Sequence, residues 1–183
     1  MLINLRRQTA LATLMVLVAL LITVNGFSQS DSKKDKIVAD AEEAKAEFIK
    51  ADPKMADLFA SSYGYVILPN VGKGAVGIGG AAGNGVAYEK GVKIGTASMK
   101  QVSIGFQGGG QAYREVIFFE AKKDFDKFKE NKIELSAQIS AVAAKKGASA
   151  NAKFVDGVMV FTMQKGGLMY EAAVGGQKIK YEE

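Results

Sequence analysis

Between Lys33 and Ala51 the apolar residues Ile37, Ala41, Ala44 and Phe48 recur at steps of four, three and four, which places them on one face of a helix. Lys34, Lys36, Glu42, Glu43 and Glu47 occupy much of the remainder. Asp52 then offers a cap and Pro53 the fixed φ of a first helical position, predicting a second short helix that carries Met55, Leu58 and Phe59 inward. Beyond Ser62 the period changes. Tyr63 to Leu68 predicts a strand ended by Pro69-Asn70, and from there to Gly95 glycines recur among Val71, Val76, Ile78, Val86, Val92 and Ile94. Val102, Ile104 and Phe106 alternate with Ser103, Gly105 and Gln107, so that strand buries one face. Val116 to Phe119 has no polar position, which predicts a strand covered on both sides. Ala121 to Asn131, with Phe125 and Phe128 among charges, predicts a short amphipathic surface helix. Ile133, Leu135, Ala137, Ile139, Ala141 and Ala143 alternate with polar residues in the clearest strand pattern of the chain. Val155 to Met163 and Leu168 to Val174 follow as a hairpin turned at Lys165-Gly166-Gly167, with Lys178 to Tyr181 as a last strand.

Helices first and many strands afterwards predict an α+β domain, with N-terminal helices packed on an antiparallel sheet and one short inserted helix, and not a βαβ succession. Ahead of the helices, Met1 to about Ser28 has the layout of a secretory signal peptide: Arg6 and Arg7 without acids, then Ala10 to Val24 without charge, then the small residues Gly26 and Ser28. Those 15 residues would make a helix of roughly 22 Å, short of a hydrocarbon core of ~30 Å. The segment is therefore expected to be cleaved and the chain exported to the periplasm or the exterior, where it can be peripheral on a membrane. Loss of Arg6 and Arg7 lowers the formal charge from +5 to +3, which gives no argument for nucleic acid. No cysteine is present, so neither a disulfide nor a lipid-modified cysteine contributes and stability rests on a packed core.

The stretch VGKGAVGIGG, residues 71–80, contains GxGxxG at Gly72, Gly74 and Gly77. A dinucleotide fingerprint requires that turn to open a helix whose N-terminal amides face the pyrophosphate. Gly77, Gly79, Gly80, Gly83 and Gly85 would then lie inside the helix, at a cost of roughly 1 kcal/mol each against alanine. The motif fails as a Walker loop too, because Gly74 stands where Ser or Thr is needed. Neither nucleotide nor cofactor is expected. Glycines at sharp strand bends or close crossings of a strongly curved, barrel-like sheet account for this cluster, for Gly105 and for Gly108-Gly109-Gly110 alike.

Tyr65-Val66-Ile67-Leu68-Pro69 running into Lys73-Gly74-Ala75-Val76-Gly77-Ile78-Gly79-Gly80 and Gly83-Asn84-Gly85-Val86 resembles the start of the SYLF domain, a lipid-binding family found from bacteria to animals. Ala97-Ser98, then Ser103-Ile104-Gly105-Phe106-Gln107-Gly108-Gly109-Gly110-Gln111-Ala112, then Glu115-Val116-Ile117-Phe118-Phe119 resemble its second block. Phe125 to Phe128 and Gln164-Lys165-Gly166-Gly167-Leu168 resemble its third, so the likeness covers roughly residues 37–175. It implies helices beside a sheet that curls toward a barrel, with residues 29–62 as the helical segment and 63–183 as the glycine-rich β region of one domain. It also implies phospholipid binding, with phosphoinositides as ligands of the eukaryotic members and actin as a partner of some fungal ones. Both of those are intracellular, so an exported chain takes over anionic or general phospholipid binding only.

Family members of animals meet membranes through an N-terminal amphipathic helix, and Lys33 to Ala51 matches its position. Its five lysines are balanced by five acids, which weakens attraction to anionic lipid and favours a helix packed on the sheet. Lys33, Lys34 and Lys36 remain its exposed cationic contact, with Ile37 and Phe48 as the large apolar residues of its stripe. Lys73 and Lys165, each beside glycine, are further candidates for a lipid phosphate. Arg114 is expected to pair with a cross-strand carboxylate. With neither histidine nor cysteine, a Ser-His-Asp triad, a thiol nucleophile and most zinc sites are excluded. Carboxylate pairs drawn from Glu89, Glu115, Glu120, Glu134, Asp156 and Glu171 are the remaining catalytic option, and no motif favours one. The reading is a non-enzymatic phospholipid-binding module without a metal. A protein-interaction domain of the cell envelope is the alternative, and a small outer-membrane barrel is disfavoured by doubly apolar strands that leave no polar lumen.

Overall fold

The four-three-four spacing does make a helix. In a computed structural model, which describes residues 32–76, 78–104, 111–136, 138–165 and 174–183, helix α1 runs over 32–51, and Ala41, Ala44 and Phe48 are fully buried. The chain divides into two compact units, residues 1–36 and 37–183. The described part of the first is the exposed opening of α1. In the second, the rest of α1 is followed by α2 (Met55–Ser61), four long strands β1 (Gly64–Val76), β2 (Ile78–Glu89), β3 (Val92–Ile104) and β4 (Gln111–Phe119), then α3 (Lys122–Lys129). The short strands β5 (Ile133–Glu134) and β6 (Ala141–Ala143), then β7 (Val158–Gln164) and β8 (Lys178–Glu182), complete it. The strands form one sheet in the order β5-β8-β3-β2-β1-β4-β7-β6, curled into a half-barrel.

Strict alternation along the strands gives the sheet two buried faces. On one, Tyr65, Ile67, Val86, Tyr88, Val116, Phe118 and Phe161 pack with Ala41, Ala44 and Phe48 of α1 and Met55 and Phe59 of α2. On the other, Val66, Leu68, Val71, Met99, Tyr113, Ile117, Phe119 and Val160 pack with Phe125 and Phe128 of α3 and with Leu135, Ile139 and Val174. The unbroken apolar run Val116 to Phe119 is thereby explained, since its residues feed both layers in turn. Pro69 does not end the first strand. It sits where the pairing of β1 with both neighbours slips in register, at Ile67/Asn70 and at Leu68/Val71, so the missing N–H falls in a bulge.

Pairing is antiparallel throughout except for β6 on β7, which is parallel and departs from the expected all-antiparallel sheet. The expected strand of residues 133–143 is also divided. Its ends become β5, paired with β8, and β6, paired with β7, at opposite edges of the sheet. Leu135 and Ile139 turn inward between them, so the alternation is real but belongs to a segment that crosses from edge to edge. Seven residues reach at most roughly 24 Å, whereas seven interstrand steps across a flat sheet measure roughly 34 Å. The crossing is possible because the sheet curls. The expected strand at residues 168–174 and its turn glycines lie outside the described residues, apart from Val174.

Asp52 caps the turn that opens α2, its Oδ1 accepting the Lys54 amide at 3.3 Å, and its Oδ2 also accepts the amide and hydroxyl of Ser149, at 2.8 and 2.6 Å. It thereby fixes the segment after β6 to the helical layer. Burial works to raise the Asp52 pKa, but the Ser149 hydroxyl and the surrounding amides outweigh it and hold the carboxyl below its ordinary value. Asp52→Ala should cost about 2 kcal/mol in a denaturant titration, the range for hydrogen bonds to a charged group. Ser149→Ala should cost less, because the amide donor survives.

Candidate functional site

The sequence candidates fall at two places. Lys33, Lys34 and Lys36 are exposed on the first turns of α1. Ile37, half-buried, already packs against the core of the second unit, and Phe48 is fully buried there. Phe48 is thus a core residue, and it meets a lipid only if α1 leaves the sheet. Several polar residues of α1 oppose that. Asp40 accepts from Asn70 at 3.2 Å, Glu42 from the Tyr88 hydroxyl at 2.7 Å and Glu43 from Arg114 at 2.8 Å, while Lys45 donates to the Tyr65 hydroxyl at 3.1 Å. Burial, then the bond to Glu42, pushes the Tyr88 hydroxyl well above its usual pKa. The partner of Arg114 is therefore a helix carboxylate and not the expected cross-strand one.

Lys73 and Lys165 come to the same end of the sheet, on either side of β4. Lys73 of β1 pairs with Gln111 of β4, and the Lys165 amide donates to the Ala112 carbonyl at 3.0 Å. They point to opposite faces. Lys73 is two residues beyond Val71 and shares its face with Tyr113, whereas Lys165 follows Gln164, the partner of Tyr113, and turns its ammonium to Asn70 beneath α1. A single phosphate group lying on one face of the sheet therefore meets one of them and not both.

The residue that sequence reasoning underrated is Glu115. It stands on β4 between Tyr113 and Ile117, on the face that holds α3, and is fully buried. Its hydrogen bond comes from the Gln177 side-chain amide at 3.1 Å; the second carboxyl oxygen, the Gln177 carbonyl oxygen and the hydroxyl of Thr162, its partner on β7, are buried without partners among the described residues. Desolvation pushes the Glu115 pKa up to about 7, against the small lowering influence of Gln177. The signal was present in the sequence: Glu115 is a charged residue at an inward position of a strand whose other inward residues are Tyr113, Ile117 and Phe119.

Of the other acids proposed for carboxylate chemistry, Glu171 lies outside the described residues, and three have partners of their own. Glu89 accepts from the Tyr63 hydroxyl at 2.8 Å and from Lys129 at 3.2 Å, Glu134 faces Lys178 at 3.5 Å, and Asp156 accepts from Ser136 at 3.0 Å. Among the described residues no group of three or more metal-ligating side chains is gathered, and no helix is long and apolar enough to cross a membrane. The glycine stretch is equally clear: β2 begins at Ile78, so a strand and not a helix follows the GxGxxG, and no helix N-terminus is there to face a pyrophosphate.

Residues 100–183 match the family described as Las17-binding protein actin regulator, Ysc84. Beta cell expansion factor A of Aeromonas veronii is 30% identical over 141 residues, which cover 75% of this chain and 53% of that protein. The chain thus spans about half the length of the curated relative it matches. That relative is itself a SYLF protein, and this is not a known enzyme family. Residues 100–183 thus carry a SYLF (Ysc84) domain, and the glycine-rich strand blocks and the curled sheet with its packed N-terminal helices accord with the same likeness.

Proposed function

We propose that the chain is a non-enzymatic phospholipid-binding module that acts at a membrane surface after export, with residues 1–28 removed as a signal peptide and 29–183 acting as one domain. The observation that carries the reading is the SYLF domain matched at residues 100–183 together with a cluster of exposed lysines, Lys33, Lys34 and Lys36, at the start of α1. Asp35 is the single acid among them, so this turn attracts anionic headgroups even though the helix as a whole is balanced. Lys73 is a second contact and Lys165 a third on the opposite face, each serving a separate phosphate. Ile37 lends apolar contact only at its exposed edge.

Co-sedimentation with vesicles tests this. The chain should pellet with phosphatidylglycerol-containing vesicles, weakly with phosphatidylcholine alone, and less as salt rises. Exchanging Lys33 and Lys34 for alanine should weaken anionic partitioning by about 2 kcal/mol, on the order of thirtyfold, at roughly 1 kcal/mol per surface lysine. Binding to neither vesicle, or binding untouched by salt and by both exchanges, would sink the reading. A protein-interaction role is the second reading, and the family description, which names a protein partner, favours it. Failure on every vesicle alongside capture of a defined envelope protein would establish it.

A further inference from the structure

Glu115 lies on β4 and Gln177 just ahead of β8, and β3, β2 and β1 stand between those strands in the sheet. Measured along the sheet the two are roughly 19 Å apart, at about 4.8 Å per strand, yet their side chains meet at 3.1 Å. The bond is a strut across the inside of the curl. Beside it the Gln101 side chain donates to the Gly175 carbonyl at 3.0 Å, and the Leu135 and Gly176 amides exchange bonds with Gln177 and Leu135 carbonyls at 2.9 and 2.7 Å. In these bonds residues 174–177 are held against the inner face by neutral groups, with Glu115 as the ionisable end of the array.

We propose that Glu115 and Gln177 form a proton-operated latch, which holds residues 174–177 and strand β8 closed over the inner face when the carboxyl is neutral and loosens them when it ionises. Among the described residues the groups around the carboxyl leave it no counter-charge. Tyr113 flanks it on its own strand, Leu68 faces it from β1, Thr162 from β7 and Gln177 from the latched segment, while Gln101 of β3 bonds that segment at Gly175. Tyr113 is the titratable one among them, and burial followed by the Glu115 charge pushes its hydroxyl up, so it stays neutral. The cation on that face of β1 is Lys73, paired one step beyond Tyr113 at Gln111. An ionised Glu115 must therefore gain water, and the partnerless carboxyl, hydroxyl and amide oxygens at this point make the latched segment the part that yields. Strands β1 and β2, paired along their whole lengths, are not involved.

Hydrogen exchange of the full chain between pH 5.5 and 8.5, corrected for intrinsic amide rates, decides the matter. Residues 174–183 and their partners 96–100 on β3 should exchange through an opening that is easier than global unfolding, losing protection on the order of tenfold per pH unit up to the carboxyl's midpoint and levelling off above it, one proton being released per opening, while residues 64–68 and 85–89 stay protected to the limit set by global unfolding. Glu115→Gln should abolish the pH dependence. The same trend in that variant, or protection at residues 174–183 equal to that of residues 64–68 at every pH, overturns the latch. Should the variant not fold, carboxyl-carbon NMR titration of the unaltered protein decides instead: a Glu115 midpoint in the ordinary glutamate range overturns the proposal, and a midpoint near neutrality at which the loss of protection at 174–183 levels off supports it.

Discussion

Gly85→Ala should lower stability by at least about 4 kcal/mol, or prevent folding, whereas Gly72→Ala should change it by less than about 0.5 kcal/mol. A Cβ at Gly85 would land on the Ile67 carbonyl oxygen and 2.8 Å from its carbon, with the Leu68 Cα at 3.0 Å. Those are backbone atoms of the central strand β1, fixed by β2 on one side and β4 on the other, so no rotamer change relieves the clash. At Gly72 nothing lies within 4 Å. At roughly 2–4 °C per kcal/mol for a domain of this size, the first exchange should lower the melting temperature by about 8 °C or more. A phosphate-cradling loop would show the reverse order, with Gly72 the sensitive position. Equal tolerance at both positions would refute the strand-crossing account of the glycines.

Stability should fall by about 3 kcal/mol as pH rises from 5 to 8, and Glu115→Gln should remove that slope. In the folded chain the Glu115 pKa is raised from 4.5 to about 7, so the folded state keeps a proton that the unfolded state releases. Its contribution is full below about 4.5 and is lost as pH climbs through about 7. Asp52 and Glu89 act in the opposite sense. For Glu89 the Tyr63 hydroxyl, with Lys129, lowers the pKa despite burial, and Asp52 is lowered by Ser149 against its own desolvation. Both give up stability only as pH falls toward and below their ordinary values. The two windows barely overlap, which places maximal stability near about pH 5. Denaturant midpoints measured across that range check it, and a flat profile between pH 5 and 8 in the unaltered protein would contradict it.

Much of the fold was readable because its cores are built on strict periods. The α1 stripe, the doubly apolar end of β4 and the paired phenylalanines of α3 each specify a buried surface by spacing alone, and the curled sheet follows from glycines that a helix could not tolerate. What failed needed information from distant residues. The alternation of residues 133–143 cannot say whether one neighbour or two will pair with it, and here the partners are β8 and β7 on opposite edges. Asp52 was readable as a cap because caps are local, whereas its further donor, Ser149, 97 positions on, was not. The candidate site divides in the same way. Lysines at a helix start are visible as charge, but that Lys73 and Lys165 converge on one end of the sheet from opposite faces depends on register, and Glu115 becomes chemically unusual only when Gln177 is folded across it.

Because one stretch of chain supplies both outermost strands, β5 and β6, it also decides how the molecule behaves among its own copies. Two and three residues long, these strands present almost no template to a neighbour, and they cap the free sides of β8 and β7. A nick between residues 135 and 140 should uncap both sides at once and promote association between copies, so resistance to polymerisation is vested in a single short strap.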